Sequence, residues 1–204
     1  MYIEGESTSM IYTVRSAGID PATGREIFIG KNGEYTFTYN PADKMAVGDA
    51  NPTLRGSLSS FVTYKGFSFN INMMYSAGGY IYNSTRAQRI EQINPMYNSD
   101  KRALTDRWKK PGDIVDYLTL VPNSSGTINN YHTSRFVEKE NFLSISSITL
   151  GYEFDSRFLN KFKCKRLNVS LSMNDIVRFS TVKQERGIFY PFARGFSFTI
   201  SPTF

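Results

Sequence analysis

Apolar and polar residues alternate with period two along five stretches of the chain, the spacing of a β-strand whose two sides meet different surroundings. In FSFNINMMY, residues 67–75, Phe67, Phe69, Ile71, Met73 and Tyr75 fall on one side, and Ser68, Asn70, Asn72 and Met74 on the other. SLSSFVTY, residues 57–64, precedes it across Lys65-Gly66, which predicts a hairpin with a tight turn. NFLSISSITLGYEF, residues 141–154, places Ile148, Leu150, Tyr152 and Phe154 together, with the phase disturbed around Ser146-Ser147 as a β-bulge would disturb it. RLNVSLSMND, residues 166–175, sets Leu167, Val169, Leu171 and Met173 against Asn168, Ser170, Ser172 and Asn174. In ARGFSFTISPTF, residues 193–204, Phe196, Phe198, Ile200, Pro202 and Phe204 oppose Gly195, Ser197, Thr199, Ser201 and Thr203. The alternating cores run to about 9–11 residues, enough for a tilted strand to cross a bilayer, where strands of soluble domains have about 5–6. The apolar side then faces either a second protein layer or lipid, and the hydroxyl side either bulk water or a wet lumen.

The connections alternate in length. Two residues at 65–66 are followed by roughly 65 from 76 to 140, about eleven at 155–165 and about sixteen around 178–192. Short turns on one side and long loops on the other is the outer-membrane arrangement, with the long loops extracellular, whereas a compact soluble domain rarely holds so long a connection. Within it, YNSDKRALTDRWKKPGD, residues 97–113, predicts a short helix with Ser99 as N-cap, Leu104 and Trp108 one turn apart, and Pro111-Gly112 as the stop. Upstream, GREIFIGKNGEYTFTYN, residues 24–40, predicts a hairpin about Asn32-Gly33. The fold class expected is all-β: an antiparallel transmembrane β-barrel segment of about five long strands plus an extracellular hairpin and long loops. Five strands are too few to close a barrel, since bacterial single-chain barrels start at about eight. Residues 1–56 form the extracellular-side loop and hairpin region, and residues 57–204 the barrel strands with extracellular loops at 76–140 and 178–192.

Composition supports this reading and removes others. Of 204 residues, 16 are Phe and 13 Tyr with a single Trp, amid many Ser, Thr and Asn, which favours strands. The net charge of +6 comes from 24 basic and 18 acidic residues mixed along the chain, without the basic, aromatic-interleaved module that nucleic acid requires, so no nucleic-acid partner is expected. The densest run, KRALTDRWKK at 101–110, reads as a solvated loop or a contact with anionic headgroups. Cys164 is alone, without a His or acid beside it, and reads as inert. No apolar run reaches the length of a transmembrane helix, and MYIEGESTSM lacks the basic-then-apolar order of a signal peptide, so in a membrane protein this stretch is not the beginning. The single His132 has no carboxylates at ligand spacing, and no nucleophile or phosphate-cradling motif occurs, so neither a metal, a cofactor nor catalysis is expected. Three glycosylation patterns, at Asn83, Asn123 and Asn168, are of the kind that arises by chance.

GIDPATGREIF, VGDANPTLRGS, YKGF before an alternating strand, RWKKPGD, RFVEKENFLSISSITLGYEF, MNDI, VKQERGIFYPFAR and the final Phe204 resemble, in this order, the C-terminal part of the barrel of SusC/RagA-type TonB-linked outer-membrane transporters. The resemblance covers nearly the whole chain. It implies the last strands and extracellular loops of a barrel of about 22 strands, a size found in plugged outer-membrane transporters. It further implies location in the cell outer membrane and import of oligosaccharides or peptides under a SusD-like surface lipoprotein acting as lid. The TonB complex would drive import through a TonB box and plug that this chain omits. Under it, Leu167, Val169, Leu171, Met173, Phe196, Phe198 and Ile200 face lipid, and Tyr64, Tyr75 and Tyr152 are candidates for the interface belt. Phe204 is the aromatic signal read by the barrel assembly machinery. Loop length together with Trp, Tyr and Arg content makes Arg107, Trp108, Tyr117, Tyr131, Arg186, Tyr190 and Phe192 candidate contacts for cargo or lid protein, with segments 84–139 and 178–192 at the extracellular rim.

The alternative is a soluble β-sandwich carbohydrate-binding module or adhesin, with Trp108, Tyr117, Tyr131, Tyr190 and Phe192 stacking on sugar. It requires Phe196 and Phe198 to be buried between two sheets.

Overall fold

A computed structural model describes residues 3–93, 98–120, 132–154, 159, 164–183 and 194–204. Among these, nine strands form two antiparallel sheets, and the chain divides into two units, Met1–Pro52 with Gly79–Lys139 and Thr53–Gly78 with Glu140–Phe204. Most of the long connection thus belongs with the N-terminal region, where the sequence pattern alone set 1–56 apart from 76–140.

The first unit holds β1 (Met10–Ile19), β2 (Glu26–Ile29), β3 (Tyr35–Thr36) and β4 (Lys44–Asp49), ordered β3-β2-β1-β4. β2 and β3 are the expected hairpin, closed where Gly33 adopts φ 90°. β1 shows no alternation in sequence because it is covered on both sides: the consecutive Thr13 and Val14 are 2% and 0% exposed. Next to the sheet, Ala87 and Ile90 from a wide helical turn (Arg86–Glu91) cluster with Ala103, Tyr117 and Phe136 in a small apolar core.

The helix expected across 97–113 is a single turn, α1 (Arg102–Thr105). Asp100 accepts from the Arg102 backbone N–H at 2.9 Å in the role assigned to Ser99, and the helix ends before Arg107, which enters an isolated bridge with Tyr117. Trp108 therefore does not continue a helical face; its indole N–H donates to the Pro21 carbonyl at 2.8 Å. Gly24 makes this approach possible, because a Cβ there would lie 2.5 Å from the Trp108 ring and its φ is 70°.

The second unit is one five-stranded sheet in sequence order: β5 (Leu54–Tyr64), β6 (Phe67–Tyr82), β7 (Val137–Glu153), β8 (Arg166–Ser180) and β9 (Phe196–Thr203), with β5 and β9 at its edges. β6, β7 and β8 contain 16, 17 and 15 residues, so each outruns the alternating core visible in sequence. Lys65 and Gly66 both take positive φ, 47° and 84°, the backbone of a two-residue primed turn.

The break in phase near Ser146 arises on the neighbouring strand. Ile145 pairs with Val177 and Ser147 with Asn174, so Asp175 and Ile176 together face Ser146, and Asp175 adopts φ 53°. The extra residue lies on β8. A β-branched side chain fits that backbone poorly. Asp175→Val should therefore be about 1–2 kcal/mol less stable than Asp175→Gly, measured by denaturant unfolding of the full-length protein in detergent; equal stabilities would show that the bulge does not depend on this backbone.

Candidate functional site

Register carries the apolar side of the second unit across all five strands. Leu58 pairs with Met73, Val62 with Phe69 and Tyr64 with Phe67. Across β7, β8 and β9, Leu150 opposes Leu171, which opposes Phe198, while Tyr152 opposes Val169, which opposes Ile200. Residues directly opposite one another share a side, so these residues and Leu167, Met173 and Phe196 form one apolar surface. That surface is open: Phe196 is 67% exposed, Phe198 66% and Leu171 46%. Burial of Phe196 and Phe198 between two sheets, which the sandwich reading needs, does not occur.

The other side is a ladder of hydroxyls and amides. Asn72 joins three strands, with its Oδ1 2.7 Å from the Ser59 Oγ and its Nδ2 donating to the Ser147 Oγ at 2.8 Å. Ser170 and Ser172 continue the side on β8, opposite Thr199 and Ser197 on β9.

Beyond the bulge, the two sides exchange character. β7 runs through without an extra residue, so Leu143 and Ile145 point to the same side as Ser147 and Thr149. The added residue on β8 brings Val177 and Phe179 opposite them on that side. The formerly apolar side now carries Glu140, Ser144, Arg178 and Ser180; the Arg178 guanidinium donates to the Glu140 carboxylate at 2.7 Å and lies 3.9 Å from the Phe142 ring centroid. The apolar surface is thus a band bounded above by charge. Below, it ends in aromatic rings, with the Phe67 and Tyr152 centroids 4.5 Å apart and Tyr152 and Phe154 4.8 Å apart.

In the first unit, three arginines brace the segments around the apolar core. Arg135 pairs with Glu26 at 3.0 Å and Glu91 at 3.2 Å, all three side chains being 9% exposed or less. Burial pulls the Arg135 pKa down, but Glu91 and Glu26 outweigh it and hold the guanidinium above its ordinary value. Arg86 donates to Glu138 at 2.5 Å and to the Tyr117 hydroxyl at 2.9 Å. Arg107 donates to the carbonyls of Ala103, Leu118, Ile90 and Glu91 at 2.5–2.9 Å, and burial lowers its pKa.

These positions revise the expectation for the loop residues. Arg107 and Tyr117 are 4% and 3% exposed, so they hold the unit together from inside and are not surfaces for cargo or lid. Trp108 is partly buried against Gly24. Tyr131, Arg186, Tyr190 and Phe192 lie outside the described residues. His132 gives its carbonyl to the Val14 N–H at 3.1 Å, with its ring 5.2 Å from Tyr82. Cys164 is buried with its Sγ 3.1 Å from the Arg166 carbonyl, and Asn83 is buried at 1% exposure.

An antiparallel sheet with an exposed apolar band on one side and a polar ladder on the other defines the wall of a membrane barrel. Comparison with known proteins points to a particular class of barrel. The chain is 28% identical over 158 residues to TonB-dependent receptor P39 of Formosa agariphila and 23% identical over 163 residues to TonB-dependent receptor P3 of the same organism. These matches cover 77% and 79% of the chain, which spans about 15% of the length of either relative. No family model matches. Among solved structures, the RagAB peptide transporter superposes with a TM-score of 0.67 at 21% identity over 85% of this chain and 19% of the other. The RagAB peptide importer in its open-open state gives a TM-score of 0.65 at 19% identity over 91% and 21%. In ordered motifs, sequence likeness and fold, the chain is similar to a stretch of the barrel wall of TonB-dependent receptors of the SusC/RagA type.

Arg135→Met leaves Glu26 and Glu91 buried without their partner, at a cost of about 3–5 kcal/mol. Hydrogen exchange in the full-length receptor should show lost protection around Val14 and Phe136, while Arg166→Gln, at an exposed pair 2.6 Å long, should leave protection there unaltered. Unchanged protection in Arg135→Met would show that the network is not what holds this unit.

Proposed function

We propose that this chain supplies part of the wall of an outer-membrane importer that takes up oligosaccharides or peptides, energised by the TonB complex and closed by a SusD-like surface lipoprotein. The observation that carries the reading is the apolar band itself: aligned across five strands, exposed, and replaced by Glu140 and Arg178 beyond the bulge. In this reading lipid covers Leu167, Val169, Leu171, Met173, Phe196, Phe198 and Ile200. From Phe67 to Tyr75 the band extends about 26 Å along β6 at about 3.3 Å per residue, of which a tilt of 35–45° leaves about 19–22 Å along the membrane normal, most of the ~25 Å apolar height of outer-membrane barrels. The Ser, Thr and Asn ladder lines the lumen, and Leu143, Ile145, Val177 and Phe179 face inward above it.

The remaining assignments follow from the same reading. Two curated relatives are named receptors and the solved neighbours are named a peptide transporter and importer, which supports transport over catalysis. Phe204, just beyond β9, is 75% exposed. Trp108, Tyr131, Arg186, Tyr190 and Phe192 remain the rim residues proposed to meet cargo or lid protein.

Single cysteines decide the orientation. In the full-length receptor, a lipid-phase thiol reagent should label cysteine at 171 and 198 and leave 170 and 199 untouched; equal protection of all four would end the membrane reading. In the same protein, Leu171→Arg or Phe198→Arg should cost roughly 2–4 kcal/mol near the bilayer midplane, with Ser170→Arg or Thr199→Arg costing much less because they point into water.

A further inference from the structure

The RWKKPGD segment of the first unit forms a loop that is tied down along its length. Its neck is closed where Arg107 bridges Tyr117 and the Trp108 backbone N–H donates to the Tyr117 carbonyl at 3.1 Å. The Trp108 indole N–H and the Gly112 backbone N–H both donate to the Pro21 carbonyl, at 2.8 and 2.9 Å. Within the turn, one oxygen of the Asp113 carboxylate accepts from the backbone N–H groups of Lys109 and Lys110 at 3.1 and 3.0 Å. The Asp113 N–H donates in return to the Lys110 carbonyl at 3.1 Å, and Gly112 takes φ 98°. The next residue is Ile114, 91% exposed, more than any other large apolar residue among those described.

The charges on this loop divide into committed and free ones. Asp113 is bound into its own turn, and the Asp116 carboxylate lies 3.3 Å from the Arg86 guanidinium. Lys109 and Lys110 are exposed, and among the described residues neither ammonium pairs with a carboxylate. A partner that buries Ile114 pays little to order it, because the fold has already immobilised the turn that carries it. Shape and area then select the partner. Ile114 protrudes, whereas small cargo is taken up in concave sites, and one apolar side chain buries far less area than a loop needs to hold to a membrane. A folded protein with an apolar socket meets both conditions, and the two free lysines match carboxylates at the rim of that socket. We propose that the turn at residues 109–114 is a docking tip for the SusD-like lipoprotein, with Ile114 seated in an apolar socket and Lys109 and Lys110 against acidic side chains at its edge. This assignment rests on the importer reading, which supplies the partner.

The test uses the full-length receptor in detergent and the SusD-like lipoprotein that copurifies with it, the latter then expressed without its lipid anchor as the binding probe. Ile114→Asp should bind this probe at least about tenfold more weakly, the loss expected when one isoleucine is no longer buried. Leu104→Asp, at a position 65% exposed on α1, should bind as wild type. Raising the salt concentration should weaken wild-type binding, while K109Q/K110Q should bind more weakly at low salt and lose most of that dependence. Folded migration on an unheated gel, with unaltered hydrogen-exchange protection around Phe136, separates lost binding from lost structure. Wild-type affinity in Ile114→Asp, or a loss in Leu104→Asp as large as in Ile114→Asp, overturns the docking tip and leaves the importer reading standing. If no SusD-like lipoprotein copurifies with the wild type, the lid assignment and the docking tip fall together.

Discussion

Strand register is the constraint on which the sheet of the second unit depends. Side chains alternate with a period of two, so a slip of one residue in any strand would carry its whole apolar set to the polar side. The turn at Lys65-Gly66, with both residues at positive φ, fixes the register of β5 against β6. From there Asn72 carries it to β7 through a side-chain bond to Ser147 and a backbone carbonyl that accepts from the Ser146 hydroxyl at 3.0 Å. Unbroken pairing from Arg166 with Thr203 to Met173 with Phe196 carries it to β9. The polar side thereby does two things: it offers hydroxyls and amides to water, and it keeps the opposite side uniformly apolar.

The departure from this order at Asp175 is confined to one residue. Adding it to β8 alone switches which of its side chains share a side with β7, so Val177 joins Ile145 and Arg178 joins Ser144. A strand can then present its apolar residues on one side along the band and on the opposite side above it. The ion pair of Arg178 with Glu140 marks where the side that bears the apolar band has become polar. The same device explains why strands of 15 to 17 residues show only shorter alternating cores in sequence.

In the first unit the balance differs, because the apolar cluster is small and charge takes a larger part. Arg135 ties Glu26 of β2 to Glu91 of the wide turn, and Arg107 gathers the carbonyls of Ile90 and Glu91 from that turn together with those of Ala103 and Leu118. A buried guanidinium is tolerable only when its donors are satisfied, so these contacts specify one arrangement of the segments more than they add net stability. Several sequence motifs find their physical role here. In DPATG, the Thr23 hydroxyl and Ala22 N–H both donate to the Asp20 carboxylate and hold its pKa below the ordinary range. In RWKKPGD, Asp113 caps Lys109 and Lys110, and the Gly112 N–H donates to Pro21, which joins the two motifs. In VGDANPT, the Asp49 carboxylate accepts from the Ser9 hydroxyl at 2.5 Å and the Asn51 N–H at 2.9 Å. What recurs in the sequence is a set of turns.

By itself the sequence determined whatever depends on neighbours along the chain. The alternation of FSFNINMMY, RLNVSLSMND and GFSFTISPTF specified strands and their two sides, and KG and NG specified hairpin turns, because period and turn chemistry are local properties. The order of motifs was enough to indicate the family that the chain resembles. Only the tertiary structure decided which strand carries the bulge, since a phase break near Ser146 reads the same whether the extra residue lies there or on the partner. It also decided that Arg107 and Tyr117 are internal: an arginine and a tyrosine in a loop look like surface residues until the carbonyls of Ile90, Glu91 and Leu118 are brought around one and Arg86 beside the other. Burial depends on contacts between residues far apart in the chain, and no local pattern records them.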